Sequence, residues 1–167
     1  EGDGIQDIVL VGHVRDPLNG HAVIANSVVV LQPNGQRKAG WEFAPLSGAP
    51  IANEYGPLYT AALADLNNDT KLEIVTAFID GTIRAYTANG NLLWTYNFAQ
   101  GAVLFASEPA VGDIDGDGTV DIVYGTYSPT GTANSLVGLN ALHGNGQPVL
   151  GFPLLLPNET APKKGIR

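Results

Sequence analysis

The middle of the chain carries the clearest alternation of apolar and polar positions. Leu58–Ala64 reads as a first strand and Glu73–Ile79 as a second, rich in β-branched and aromatic residues. Thr82–Ala88 is a third, with Ile83, Ala85 and Thr87 set against Thr82, Arg84 and Tyr86, and Leu92–Phe98 is a fourth. Asp80-Gly81 and Asn89-Gly90 are tight-turn signals between them. Short strands separated by such turns predict a four-stranded antiparallel meander.

The flanking regions repeat the same order of landmarks. Three carboxylate-rich segments occur: Glu1–Val9, Asp65–Val75 and Asp113–Val123. Aligned on their last carboxylates, Asp7, Glu73 and Asp121, they lie 66 and 48 residues apart. Each is followed by an Asn-Gly pair and then an aromatic: Asn34-Gly35 and Trp41, Asn89-Gly90 and Trp94, Asn145-Gly146 and Phe152. The outer repeats insert polar segments, Arg15–His21 and Ser128–Asn134, between their second and third strands. Four-stranded units at this period predict an all-β fold, a partial β-propeller of antiparallel blades; an all-β sandwich is the alternative. The expected division is an incomplete first blade at 1–47 holding strands two to four, a second blade at 48–100, a third at 101–157 and a tail or linker at 158–167. About two complete blades and three strands of a preceding one cannot close a ring. Further blades are therefore expected as partners, from the same or other chains.

Composition narrows the function. Gly 21 and Pro 11 in 167 residues fit many short segments rather than long helices. Apolar residues at 44% and charged residues at 14% argue against disorder. The net charge of −8, with a basic cluster only at Lys163, Lys164 and Arg167, offers nucleic acid no basic face. The lack of cysteine excludes disulfides, zinc-thiolate sites and thiol nucleophiles. No apolar run approaches the roughly 18 residues of a membrane span, so no membrane insertion is expected.

The acidic loops carry the candidate chemistry. Asp113, Asp115, Asp117 and Asp121 stand at positions 1, 3, 5 and 9 of one loop, and the Thr119 carbonyl can add a fifth oxygen. Oxygens at alternating positions of a tight loop converge on one hard cation, and charge-rich, many-oxygen sites favour Ca²⁺ over Mg²⁺. Without a cation, four carboxylates in nine residues repel one another; an acidic surface turn is the competing reading. Gly118 sits where the chain needs a conformation costly to other residues. The second loop offers Asp65, Asn67, Asp69, Glu73 and the Lys71 carbonyl, but Thr70 replaces the glycine and Asn67 removes a charge. The first offers Glu1, Asp3 and Asp7, and the residue matching Asp113 would precede Glu1. No bidentate Glu stands at position 12, where Tyr124 lies, so these are not EF-hands.

Asp113–Val123, Asp65–Val75 and the closing segments Gly40-Trp41 and Gly151-Phe152-Pro153 resemble the FG-GAP/VCBS family, the calcium-binding propeller repeats of integrin α chains and many secreted microbial proteins. The resemblance covers roughly residues 1–157. It implies a propeller, usually of seven blades, with each Ca²⁺ loop bridging the first two strands of a blade. It also implies an extracellular, non-catalytic role in adhesion or in binding a protein or glycan.

Other chemistry is poorly supported. His13, His21 and His143 form no H-x-x-H pattern and are expected to be solvated. There is no G-x-S-x-G elbow. Phosphate would be repelled by the acids around Gly116 and Gly118, and the regular carboxylate spacing fits metal ligation better than a glycosidase pair. Trp41, Trp94 and Phe152 suit packing between blades or, alternatively, stacking on a sugar. Asn68 and Asn158 head N-glycosylation sequons. The expected function is a calcium-binding propeller segment for extracellular recognition. The propeller of a secreted polysaccharide-active enzyme and a unit of a surface or filament assembly are the alternatives.

Overall fold

The structure is a computed structural model and describes residues 6–15, 18, 23–41, 60–78, 80–128 and 137–155. Glu1 and Asp3, most of the two polar inserts, and the tail lie outside these residues. The described residues are all-β, without a helix, in three antiparallel sheets.

The first sheet pairs β1 (Ile8–Arg15) with β2 (Val23–Leu31), and a bridge from Leu31 to Arg37 continues it. The second runs β3 (Ala62–Ala64), β4 (Glu73–Phe78), β5 (Thr82–Tyr86) and β6 (Leu92–Asn97) in chain order, the predicted meander. The third holds β7 (Phe105–Ala106) and β8 (Ala110–Gly112), both on β9 (Asp121–Tyr127), then β10 (Gly138–His143) and β11 (Leu154–Leu155).

The strands are shorter than the sequence reading expects. Pairing of β3 with β4 starts at Ala62↔Val75, so Thr60 and Ala61 of the predicted strand stand outside it; residues 58 and 59 lie outside the described set. Strand β5 ends at Tyr86 because Thr87 already closes the turn: its N–H donates to Asn91 O and its carbonyl accepts from Gly90 N, both at 2.9 Å. Strand β6 stops before Phe98, whose N–H bends away to Gly81 O at 3.0 Å. In the third sheet the first strand is split. Ala106 pairs with Thr126 but Ala110 with Val123, so one extra residue bulges out around Pro109, which has no N–H to offer the ladder.

The three Asn-Gly turns among the described residues have one geometry. Gln32, Thr87 and His143 each accept from the turn glycine, at 2.8–2.9 Å, and those glycines, Gly35, Gly90 and Gly146, sit at φ of 81–82°. Asn stays at negative φ, so this is a tight turn ending in a left-handed glycine rather than a mirror-image two-residue turn.

Strand alternation decides which side chains face which sheet. All six residues of β4 are buried. Ile74 and Phe78 join Val28, Val30, Trp41 and Tyr86 in a core between the first and second sheets. Val75 and Ala77 join Ile83, Ala85, Ile122, Tyr124 and Leu142 in a core between the second and third. The sheets therefore stack in chain order, with the middle one covered on both faces.

Two tryptophans fasten the stack. Trp41 Nε1 donates to Ala88 O at 3.1 Å, and Trp94 Nε1 donates to Gly144 O at 2.9 Å. Ala88 and Gly144 occupy the same place in successive Asn-Gly turns. This places Trp41 and Trp94 in packing between units, the first of the two roles weighed for them; Phe152 is half-buried.

Candidate metal centre

The third acidic loop joins β8 to β9 and is folded by its own carboxylates. Asp113 accepts the N–H groups of Gly116 at 2.7 Å and Gly118 at 3.0 Å. Asp115 accepts from Asp117 N at 3.1 Å, and Asp117 from the Thr119 N–H and hydroxyl at 2.7 and 2.6 Å. Those two Thr119 donors hold Asp117 below the usual carboxylate range, aided by the nearby charge of His143. Asp121, fully buried, accepts from Ile114 N at 3.0 Å across the loop. Gly118 has φ of 85°, as its position predicts.

These bonds aim oxygens inward. One oxygen each from Asp113, Asp115 and Asp121 lies within 4.8 Å of the others. That donor set, all hard oxygen and all anionic, fits a hard divalent cation such as Ca²⁺, with the exposed rim leaving room for water.

The second loop joins β3 to β4 with the same pattern. Asp65 accepts from Asp69 N and Thr70 N at 3.0 and 2.8 Å, Asn67 from Asp69 N at 2.9 Å, and Asp69 from Lys71 N at 2.9 Å. Glu73 is buried and accepts from Leu66 N at 2.9 Å, the counterpart of the Asp121–Ile114 bond. Burial raises the Glu73 carboxyl above its ordinary pKa, and Asp69 and Asp65 add to this; the Leu66 bond opposes it. Asn67 stands where the third loop has Asp115, so the counterpart of the converging trio Asp113, Asp115 and Asp121 holds two carboxylates, Asp65 and Glu73, and an amide. Asn68 and Thr70 take φ of 60° and 70°, where the third loop has Gly116 and Gly118.

Of the first loop's candidate ligands, only Asp7 is among the described residues. It forms an ion pair with Lys38, a buried lysine of the segment closing the first sheet. The lysine supplies positive charge to the carboxylate that matches Glu73 and Asp121. A cleft beside this pair is lined by Asp7, Lys38, Thr70, Lys71, Leu72 and Ile74.

Sequence reasoning missed one residue of the third site. His143 was expected to be solvated. Instead its Nδ1 lies 2.9 Å from Asp121 Oδ1, because the ladder pairs β10 with β9 so that His143 stands opposite Asp121. Its ring also approaches Asp115 and Asp117, with one ligand-capable atom from each of the three within 4.8 Å. No local motif marks this residue; only the strand register delivers it.

No curated protein and no solved structure matches the chain. Residues 65–124, which hold the second and third loops and the strands between them, match the family model described as the FG-GAP-like repeat.

Proposed function

We propose that this chain is a calcium-stabilised, non-catalytic segment of a β-propeller that serves recognition or adhesion outside the cell, with a protein or glycan as ligand. The observation that carries the reading is the convergence of Asp113, Asp115 and Asp121 oxygens at one point of an FG-GAP-like repeat. The ion is held by Asp113, Asp115, Asp117, Asp121 and the Thr119 carbonyl in the third loop. Asp65, Asn67, Asp69, Glu73 and the Lys71 carbonyl form a weaker site in the second. At the first loop Lys38 competes with any ion for Asp7.

The metal's role is structural. It relieves repulsion between carboxylates that the fold forces together, so its binding free energy adds to folding free energy. Extracellular modules bind Ca²⁺ at about 10⁻⁴–10⁻³ M, which suits millimolar calcium outside cells. The test is thermal unfolding with calcium and with chelator, beside Asp117→Ala. Calcium should raise the Tm of the wild type and raise that of the variant less. Identical wild-type melting curves in both buffers would sink the proposal.

A further inference from the structure

We infer that Lys38 is a built-in replacement for the divalent ion in the first unit: its ammonium answers Asp7 where calcium answers the matching carboxylate of the third loop, and Asp7 ligates no ion. The comparison between loops rests on the calcium role proposed above.

Strand register makes the three carboxylates equivalent. Asp7, Glu73 and Asp121 each stand one residue before an isoleucine, and Ile8, Ile74 and Ile122 pair with Leu31, Tyr86 and Leu142. Each of those partners directly precedes the residue that accepts from the turn glycine: Gln32, Thr87 and His143. The turns then fix the place of Lys38. Gln32, Thr87 and His143 donate their own N–H groups to Gln36, Asn91 and Gln147, and two residues further on come Lys38, Leu93 and Val149. Lys38 and Val149 also donate alike into their sheets, to Val30 O at 2.9 Å and Ala141 O at 3.0 Å. Two units fill this place with an apolar side chain, and the first fills it with a lysine.

That lysine is buried as Val149 is, at 8% and 2% exposure. An ammonium withdrawn from water to this degree is stable only beside a carboxylate that satisfies it. Its side chain, 10% exposed, reaches the Asp7 carboxylate across 31 residues of chain. The lysine is therefore placed by the fourth strand of its unit and aimed at the acidic loop of the same unit.

The pair excludes a divalent ion. An ion on Asp7 would face the ammonium at short range, and taking the carboxylate for itself would leave a buried lysine unpaired. Lys71 also lines the cleft beside the pair, so the charged residues described around it are two lysines and one aspartate. The third loop is the opposite case, where Asp113, Asp115 and Asp121 bring three carboxylate oxygens together. The first unit thus carries a cation that a chelator does not remove, and the third depends on one that it does.

The test is thermal unfolding of the chain in chelator and in calcium. In chelator, Asp7→Asn and Lys38→Met should each melt several degrees below wild type, and the double variant should lose less than the sum, because the two changes break one pair. From chelator to calcium, Asp7→Asn should gain as much in Tm as wild type does, whereas Asp117→Ala should gain less. A reduced calcium gain in Asp7→Asn would overturn the inference, since Asp7 would then hold an ion. Additive losses in chelator would overturn it as well, since no pair would exist. Should Lys38→Met fail to fold, the calcium gain of Asp7→Asn decides alone, its side chain being 25% exposed and tolerant of the change. A wild type without any calcium gain would defeat the proposed function instead, and the chelator melts would still judge the pair.

Discussion

The indole N–H of Trp94 reaches across to the carbonyl oxygen of Gly144 at 2.9 Å, fifty residues along the chain, and lies flat against Gly146. The same bond joins Trp41 to Ala88 at 3.1 Å. Each tryptophan therefore does two things: it fills the core between sheets and satisfies a turn carbonyl of the next unit. Trp94→Phe keeps much of the packing and drops the bond, at a cost of about 1 kcal/mol. Gly146→Ala forces a Cβ into the ring at a left-handed φ and should cost about 2 kcal/mol or more. Urea unfolding followed by tryptophan fluorescence measures both; a Gly146→Ala protein as stable as wild type would refute the close contact.

Thr70 carries backbone strain that Gly118 avoids. Thr70 is β-branched and sits at φ of 70°, while Gly118 holds the matching place at 85°. Strain at such a site costs on the order of 1–3 kcal/mol, and glycine's extra unfolded freedom returns up to roughly 1 kcal/mol. Thr70→Gly keeps the backbone bond to Asp65 and should stabilise the protein by about 1 kcal/mol. Gly118→Thr should destabilise by about the same, through the backbone alone, since a Cβ there meets nothing within 4 Å. Chemical denaturation of the pair should give opposite signs; equal signs would contradict this reading.

The repeat and the loops were legible in the sequence because their signals are local, whereas the bonds of Trp41 and Trp94 to turn carbonyls 47 and 50 residues away were not. Asp113 and Gly118 lie within one turn, and the Asn-Gly pairs mark where the hairpin turns fall. The partners of the last loop carboxylates were not legible. His143 meets Asp121 through strand register 22 residues away, and Lys38 meets Asp7 across 31. Register follows from the packing of whole sheets, which no short motif encodes. Ser107, Glu108 and Pro109 interrupt the apolar pattern where β7 gives way to β8, and no strand was assigned there from the sequence.

Tyr124 predicts an alkaline weakness. It is buried, its hydroxyl has no hydrogen-bond partner among the described residues, and burial pushes its pKa well above the ordinary value near 10, with Tyr96 adding to the shift. A raised folded-state pKa favours the neutral phenol. Stability is then full below pH about 10 and falls as pH rises from there. Tyr124→Phe keeps the ring against Phe98 and removes a buried unpaired hydroxyl. It should be neutral or stabilising by up to about 1 kcal/mol at pH 7, with a shallower decline above pH 10. Burial also raises Tyr86 and Tyr127, so a residual slope should persist. Unfolding free energies at pH 7, 10 and 11 provide the check; an unchanged alkaline slope would count against the assignment.

His143 gives the sharpest test of the third loop. Asp121 is fully buried, and two groups satisfy it, Ile114 N and His143 Nδ1. Removing the imidazole leaves a buried carboxylate oxygen without its partner, at about 1–3 kcal/mol. In chelator, His143→Ala should therefore melt lower than wild type, by several degrees at about 2–4 °C per kcal/mol for a chain of this size. On the proposed function, calcium would neutralise the same carboxylate and so restore part of the loss. The gain in Tm from chelator to calcium should be larger in His143→Ala than in wild type. Asp121→Asn should show the reverse, a small gain, because the charge the ion answers is gone. If His143→Ala instead loses the calcium gain, the imidazole acts on the ion itself, together with Asp115 and Asp117, rather than by holding Asp121 in place.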